Sequence, residues 1–519
     1  CGDVAKKDGI TVKATVWTQI FEPVACIDIE ASRPISATAS YENWRTKPRR
    51  LEKKELESCR TYMDAPFPAI LKPDTVRFDG DGVLFFHRNE GKTAFDVVVA
   101  QQGLEPVRNE LWNPLKNLTF GGRMSGQGFR ADGFGSGRYA SSDFIAWKLT
   151  SRAPSVRHAL RIAFHTDNAA TFEDWLAGLR ALEKRISGRS RQARAAALEW
   201  WRAFWARSWI FIDNRRPDPK SEAWQVGRNY QVFRYQLACN AYGAFPTKFN
   251  GGLFCVDPQF IDPNLRFSPD YRRWGGGSFT AQNQRLVYWP MLRSGDFDMM
   301  KPQFDFYKNA LGNAETRVRF CWGHGGACFE EQIENCGLPV GFECGWRRPA
   351  GLHPGMLDNK WLEYSWDTVF EFCMMILERH ECNSDDPRPY LPLIVSSLRF
   401  YDEHYRALRR QATGRELDEN GKLLIAPGTA CETYKGAVNP LTTLCALRRV
   451  TERTLALPKE FLDPETRRYL LELEERIPEE IRIREKNGRR TIAPARSWTR
   501  IQNSEFPQLY SVFPWGIHG

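Results

Sequence analysis

The chain has 519 residues, and its 73 Lys and Arg against 63 Asp and Glu give a formal net charge of +10. At ~150 residues per domain this length implies about two to four domains and a large core, which excludes disorder or a bare peptide scaffold. Hydrophobic residues make up 42% and charged residues 26%, and no stretch approaches the ~18 consecutive apolar residues of a membrane span, so a soluble globular protein is expected.

The basic residues Arg45, Lys47, Arg49, Arg50, Lys53 and Lys54 form one short run, read as a solvated face rather than a nucleic-acid footprint. The 13 cysteines contain no Cys-x-x-Cys pair, which argues against zinc ribbons and thioredoxin-like redox sites. Cys321, Cys328, Cys336 and Cys344 are too widely spaced for a metal knuckle and read as buried thiols or a disulfide. No metal and no cofactor is expected. The chain opens at Cys1 without Met or an apolar leader, so any signal peptide would lie outside it.

From about residue 10 to 165 short alternating runs are broken by turn residues: Thr11 to Trp17, Val83 to Phe86, Phe95 to Val99, Phe144 to Leu149 and Leu160 to Phe164. Asp79-Gly80-Asp81-Gly82 is a hairpin signal, and the region reads as an antiparallel β-sandwich. Gly133-x-Gly135-x-Gly137 lacks the strand-then-helix frame of a dinucleotide loop and reads as turns between strands.

At Thr171 the period becomes helical. Phe172, Trp175, Leu179 and Leu182 mark one helix, and Leu198, Trp201, Trp205 and Trp209 a second. Helices then follow at about 221–241, 281–293, 297–312, 362–380, 390–411, 439–456 and 464–477, and the linkers between them alternate long and short. That alternation describes stacked helical hairpins. Successive helices run antiparallel, so the long linkers, roughly 242–280, 313–361 and 412–438, emerge at one end. Loops beyond ~15 residues in a compact domain are usually functional.

Those loops hold Asn250, Arg273 and Trp274, leading into Gln282 and Asn283; then Trp322, His324, Glu330, Glu331, Glu343, Trp346, Arg347, Asp358, Trp361 and Glu363; then Glu432 and Tyr434. Flat rings for stacking, amides for hydroxyls and isolated carboxylates describe a carbohydrate cleft. Neither Gly-x-Ser-x-Gly, His-Glu-x-x-His nor Gly-x-x-x-x-Gly-Lys occurs, leaving serine hydrolase, zincin and P-loop readings without support.

The Trp-rich stretch Glu199 to Ser208, Arg234-Tyr235-Gln236-Leu237, Asn250-Gly251-Gly252, and Asn283 followed by Tyr288-Trp289-Pro290 resemble the six-hairpin glycosidases. In pattern they resemble the inverting α-L-fucosidase family, and in phrasing bacterial proteins that carry a domain of unknown function of this class and are typically secreted by polysaccharide degraders. The resemblance implies an α+β multidomain chain: a β-sandwich over 1–165, linker helices over 166–220, and an (α/α)6 toroid over 221–519. It implies Glu432 as general acid and Asn283 as holder of the attacking water. The sequence departs from the pattern at Ala281, Cys431 and Thr433, where the family has Asn, Pro and Asn.

An inverting enzyme needs a second carboxylate as base. Nothing after Ile477 is read as offering it, so the base either lies beyond the end of the chain or is supplied by Glu331 or Glu343. Seven helices against the twelve of a closed toroid mark the chain as a fragment, and the stripe Tyr469, Leu470, Leu473 and Ile477 is expected to be more exposed than Phe297, Met300, Phe304 and Leu311. The expected activity is hydrolysis of a glycosidic bond in an oligo- or polysaccharide, in a periplasmic or extracellular protein. The alternatives are a carbohydrate-binding protein on a hydrolase scaffold and, third, a phosphorylase of similar architecture. Substrate contacts are assigned to Asn250, Arg273, Trp274, Gln282, Trp322, His324, Trp346, Arg347, Trp361 and Tyr434.

Overall fold

The computed structural model describes residues 2–7, 9–212, 218–248, 257–273, 276–479, 482–484 and 488–518. Its first part is built on strands β1 (Gly2–Lys7), β2 (Ile10–Thr18), β3 (Val24–Ile35), β4 (Thr38–Asn43), β5 (Thr75–Asp79), β6 (Gly82–Arg88), β7 (Thr119–Gly126), β8 (Phe129–Tyr139), β9 (Ser142–Ser151) and β10 (Ser155–Asp167). They form an antiparallel seven-stranded sheet, β1-β2-β3-β10-β7-β6-β5, and a three-stranded sheet, β8-β9-β4. Alternation places neighbouring residues of β6 on opposite faces. Val83 packs with Met124, Phe129, Leu149 and Leu160, where Tyr41 of the smaller sheet stacks on Phe85 at 4.1 Å.

Two readings of this part are corrected. Phe95 to Val99, expected as a strand, lies in helix α1 (Ala94–Gln101), because Asp96 accepts from the Thr93 backbone N–H at 2.6 Å and fixes a helix start. The glycine run expected as turns is largely strand: β7 and β8 carry it, and Gly133, at φ +72°, sits where the β8–β9 register shifts between Ala131 and Phe134. On the far face of the large sheet, α2 (Phe172–Ile186) buries Trp175, Leu179 and Leu182 against Val24, Cys26, Leu84 and Ala163.

The rest is helical: α3 (Ser190–Arg207), α4 (Glu222–Ala238), α5 (Ala281–Ser294), α6 (Lys301–Trp322), α7 (Val369–Asn383), α8 (Leu391–Thr413), α9 (Leu441–Leu455) and α10 (Pro464–Arg476). Helix α7 packs on both α5 and α9, while α6 packs on α8. Val369 to Leu377 are all buried, which makes α7 an inner helix, whereas α10 buries only Leu470 and Leu473.

Helix α6 runs ten residues past its expected end at 312, because Gly312 has open space around it and the helix stops only at Gly323, which takes the left-handed C-terminal conformation at φ +74°. Helix α7 starts later than 362 because Tyr364 is left-handed, at φ 59°. The stripe expected to be exposed is not: Leu470, Leu473 and Ile477 are 0–2% exposed and join the same core as Met300 and Phe304. Helix α10 packs on α9, and the Leu423 N–H bonds the Arg476 carbonyl at 2.9 Å, closing that side. Large apolar side chains are exposed instead at Leu286 (65%), Leu509, Val512 and Phe513.

Arg234 ties α4 into this core. Its guanidinium contacts both Asp296 oxygens at 2.8 Å, bonds the Phe204 and Ser208 carbonyls, and lies 4.2 Å from the Phe204 ring centre. Both charges are at most 2% exposed, and Asp296 also accepts from Arg207 at 3.1 Å and from the Ser294 hydroxyl at 2.6 Å, so losing Arg234 leaves Asp296 only partly compensated. Arg234→Ala is expected to cost up to about 3–5 kcal/mol in a denaturant titration; a loss under about 1 kcal/mol would show that Arg207 is enough to hold Asp296.

Candidate functional site

The three long connections of the helical part converge on one cleft of about 1000 Å3. Arg273, Thr280, Gln282 and Asn283 line it from the first, Glu331 and Gln332 from the second, Asp358, Lys360 and Trp361 from further along the second, and Glu432 from the third. Residues Glu57, Arg60 and Met63 of the sheet domain complete the wall. A second, narrow pocket of about 40 Å3 shares Gln282, Arg285, Glu331, Leu362 and Glu432 with the cleft. It is reached by Asp367, Thr368 and Glu371 at the start of α7, by Thr442 at the start of α9, and by Glu505, Tyr510 and Trp515. The inner helices α5, α7 and α9 therefore all begin at this pocket.

Each carboxylate there has a defined setting. Glu331 is buried, accepts from the Gln282 backbone N–H at the start of α5, and accepts from the Thr368 hydroxyl at 2.7 Å before α7. Burial pushes its pKa up to about 7, against the lowering effect of those bonds and of Arg285. Asp367 is also raised by burial, although the Thr443 hydroxyl donates to it at 2.8 Å. Glu371 accepts from Arg285 at 2.8 Å and from the Trp289 indole N–H at 2.7 Å.

Glu432 stands on the turn between β11 (Gly428–Ala430) and β12 (Tyr434–Ala437), just after Cys431 at φ 54°. Strand β13 (Arg500–Ile501) lies beside β12 and carries the returning chain past the turn. Glu505 then accepts the Glu432 backbone N–H at 2.7 Å, and its own N–H bonds the Thr433 hydroxyl at 3.0 Å. Burial raises the Glu432 carboxyl, the Glu505 charge raises it further, and Lys435 and Arg285 oppose both. Lys435 itself is buried, donates to the Trp361 carbonyl at 2.7 Å and the Cys431 carbonyl at 3.3 Å, and is lowered by desolvation to about 8.

Of the residues singled out from sequence, Glu432, Glu331, Gln282, Asn283, Arg273 and Trp361 meet in the cleft. Asn283 lines only the larger space, while Gln282 lines both. Trp322 and His324 lie elsewhere: Trp322 ends α6 and stacks on His353 at 5.9 Å, and the His324 ring bonds His404 at 3.1 Å. Trp346 and Arg347 face the sheet domain, where Trp346 meets Phe67 edge-on at 5.8 Å and Arg347 pairs with Asp64. Tyr434 packs edge-on against Trp498 at 4.9 Å. Asn250 and Trp274 lie outside the described residues, as does the Glu343 side chain. Glu505, Tyr510, Trp515 and the Glu57–Met63 segment were not anticipated. Glu505 has no local sequence signal, since its role rests on a contact across 73 positions. Among the described residues no group of His, Cys, Asp and Glu is arranged to hold a metal ion.

Fold and site thus define a protein with an N-terminal antiparallel sheet domain, a helical C-terminal part, and a large cleft with an acidic floor. Residues 3–210 match a family model described as a domain of unknown function (DUF5703). No curated protein sequence matches the chain. Among solved structures, one described as a kojibiose phosphorylase from human microbiome superposes with a TM-score of 0.52 at 10% identity, covering 94% of this chain and 55% of that one. A bacterial glucoamylase complexed with acarbose gives a TM-score of 0.37 at 9% identity, covering 90% and 54%. The chain spans about half the length of these two structures, and the first likeness is one of fold.

Two predictions follow from the electrostatics. The folded-state pKa of Glu331 is about 7 against an ordinary 4.5, so its contribution is fully favourable below about pH 4.5 and is lost as pH rises through about 7. Glu331→Gln keeps an acceptor for the Gln282 N–H. Unfolding free energies should therefore show this variant gaining on the parent by up to about 3 kcal/mol at pH 8, at ~1.36 kcal/mol per pH unit, with the gain vanishing near pH 4. Separately, Glu505→Gln should move the titration of Glu432, followed by carboxyl-carbon NMR, to lower pH; an unmoved midpoint would show that the Glu505 charge does not reach it.

Proposed function

We propose that the chain carries the active site of a glycoside hydrolase, in a helical part belonging to an (α/α)6 toroid, and that it inverts the anomeric centre by general acid/base catalysis. Glu432 is the acid. Burial and the Glu505 charge move the pKa of its half-buried carboxyl upward, the direction a general acid requires. Glu331 is the base: it comes from a different connection, shares the wall between narrow pocket and cleft with Glu432, and has a pKa near neutrality. Glu505 holds the backbone of the acid itself and is a positioning residue. Asn283 and Gln282, whose amides line the cleft, serve hydroxyl groups of the sugar or the attacking water.

The observation that carries this reading is the composition of the narrow pocket. Its volume of about 40 Å3 exceeds the ~10–15 Å3 that one water needs, so it has room for a few waters. It is lined by Glu331, Asp367, Glu371, Glu432 and Glu505 against Arg285, which is already paired with Glu371. Water tolerates such a lining, whereas a phosphate dianion would find no lining cation there except Arg285, already paired with Glu371. This favours hydrolysis over phosphorolysis, although one structural neighbour is described as a phosphorylase.

A glycan-release screen with the protein tests the proposal. Free sugar should appear at a rate indifferent to added inorganic phosphate, with no sugar phosphate. Glu432→Gln should lower turnover of an unactivated glycoside by ~10²–10⁴-fold and that of a nitrophenyl glycoside far less. Equal losses on both would remove Glu432 from the acid role, and tight glycan binding without release would make the chain a binding protein.

A further inference from the structure

The sheet domain sends the segment between β4 and β5 out onto the helical part. This segment contains two consecutive 3₁₀ turns, Lys53–Ser58 and Arg60–Tyr62. In a 3₁₀ turn residues three apart stand in one row, and two such rows differ sharply here. Glu55, Ser58 and Thr61 are all under 9% exposed. The Ser58 hydroxyl donates to the Arg272 carbonyl at 2.8 Å and accepts from the Arg272 N–H at 2.6 Å, the Ser58 carbonyl accepts from the Gly277 N–H at 2.9 Å, and Thr61 donates to Glu334. The approach at Gly277 is so close that a β-carbon there would overlap the Ser58 carbonyl oxygen. The segment is thus fixed to the first and second long connections. The other row, Glu57, Arg60 and Met63, lines the large cleft beside Arg273 and Gln332, and Arg60 also donates to Gln332 at 3.0 Å.

We infer that the row Glu57–Arg60–Met63 is a second saccharide-binding wall, supplied by the sheet domain, that holds sugar units distant from the bond at Glu432 and so selects oligosaccharides over disaccharides. The inference rests on the saccharide reading of the cleft. A carboxylate and a guanidinium beside an apolar thioether offer acceptors, donors and a flat contact of the kind a sugar ring presents in reverse. The cleft, at about 1000 Å3, lies at the top of the ~300–1,000 Å3 range of small-ligand pockets, which leaves space beyond the unit nearest the acid. Because the anchored row is bound to the loops that carry Arg272, Gly277 and Glu334, the wall stands at a fixed distance from the rest of the site, without the ordering cost a free loop would add.

The test uses the full chain and a panel of plant, algal and host oligosaccharides, each as a series of short and long members, with binding measured by calorimetry. In the parent, affinity should climb with chain length, and the ¹³C-methyl resonance of Met63 should shift with long members only. In Glu57→Ala/Met63→Ala, checked for an unchanged melting temperature, long members should lose about tenfold in affinity relative to the shortest. The Met63 signal in the parent decides the matter if that variant fails to fold. Glycans that bind while Met63 stays unmoved and the length dependence persists in the variant would overturn the wall and leave the saccharide reading standing. Failure of every glycan to bind would overturn both.

Discussion

The site depends on one buried carboxylate. Glu331 joins the first turn of α5, through the Gln282 N–H, to the threonine that precedes α7. Two helix starts are thereby pinned to one side chain, which accepts from a backbone N–H of one and from the Thr368 hydroxyl beside the other, and helix N-termini carry partial positive charge. That arrangement would favour a charged carboxylate, yet burial wins and leaves the group near neutrality. On the proposed reading the balance suits a base, because a group poised between its two protonation states can exchange a proton with little free-energy cost. Neighbouring α7 supplies Asp367 and Glu371 from the same turn, so the alignment of α5 against α7 also sets the floor of the narrow pocket.

The opposite side of the pocket is built from chain segments far apart in sequence. Glu432 sits on a turn that contains the left-handed Cys431, an unfavourable conformation for a residue with a β-carbon. The turn is held by what surrounds it: β13 pairs with β12, Glu505 bonds the Glu432 N–H, and Lys435 bonds the Cys431 and Trp361 carbonyls together. Lys435 has given up much of its hydration to do so, which is why its pKa falls to about 8. A buried lysine whose protein partners there are carbonyls rather than a carboxylate is costly. Its position, tying the acid turn to the cleft rim at Trp361, gives that cost a structural purpose.

Much of this was legible in the sequence, because the helices announce themselves by period. The expected starts of α5, α8 and α10 fall within one residue of the observed ones, and the long-short alternation of linkers brought Glu331, Gln282 and Glu432 to the same end before any coordinates. The errors have local causes. Trp322 falls in a loop when the helix is ended at 312, whereas Gly312, facing open space, sits within α6 at modest cost. Phe95 to Val99 satisfies strand and helix alike over five apolar-rich positions, and only the Thr93–Asp96 pair decides for helix. The Glu57–Arg60–Met63 row repeats at three, a period that neither a strand nor an α-helix search detects, and Glu505 acts through tertiary contact alone.

Among the described tryptophans, Trp361 is in the large cleft and Trp515 in the narrow pocket; Trp322 and Trp346 face other parts of the protein. The aromatic wealth of the sequence therefore serves the core first. Stacking on rings is tolerant of which sugar is stacked, since every pyranose has an apolar face. Amides, carboxylates and guanidinium groups are not tolerant: each left without its hydroxyl partner in a closed site costs about 1–3 kcal/mol. If its ligand is a saccharide, as proposed above, a cleft walled by Gln282, Asn283, Arg273, Glu57 and Arg60 discriminates mainly by penalising the absent or misplaced hydroxyl. That is the mode by which a site rejects close analogues most strongly, and on the proposed saccharide reading it would make the chain a reader of hydroxyl pattern more than of ring shape.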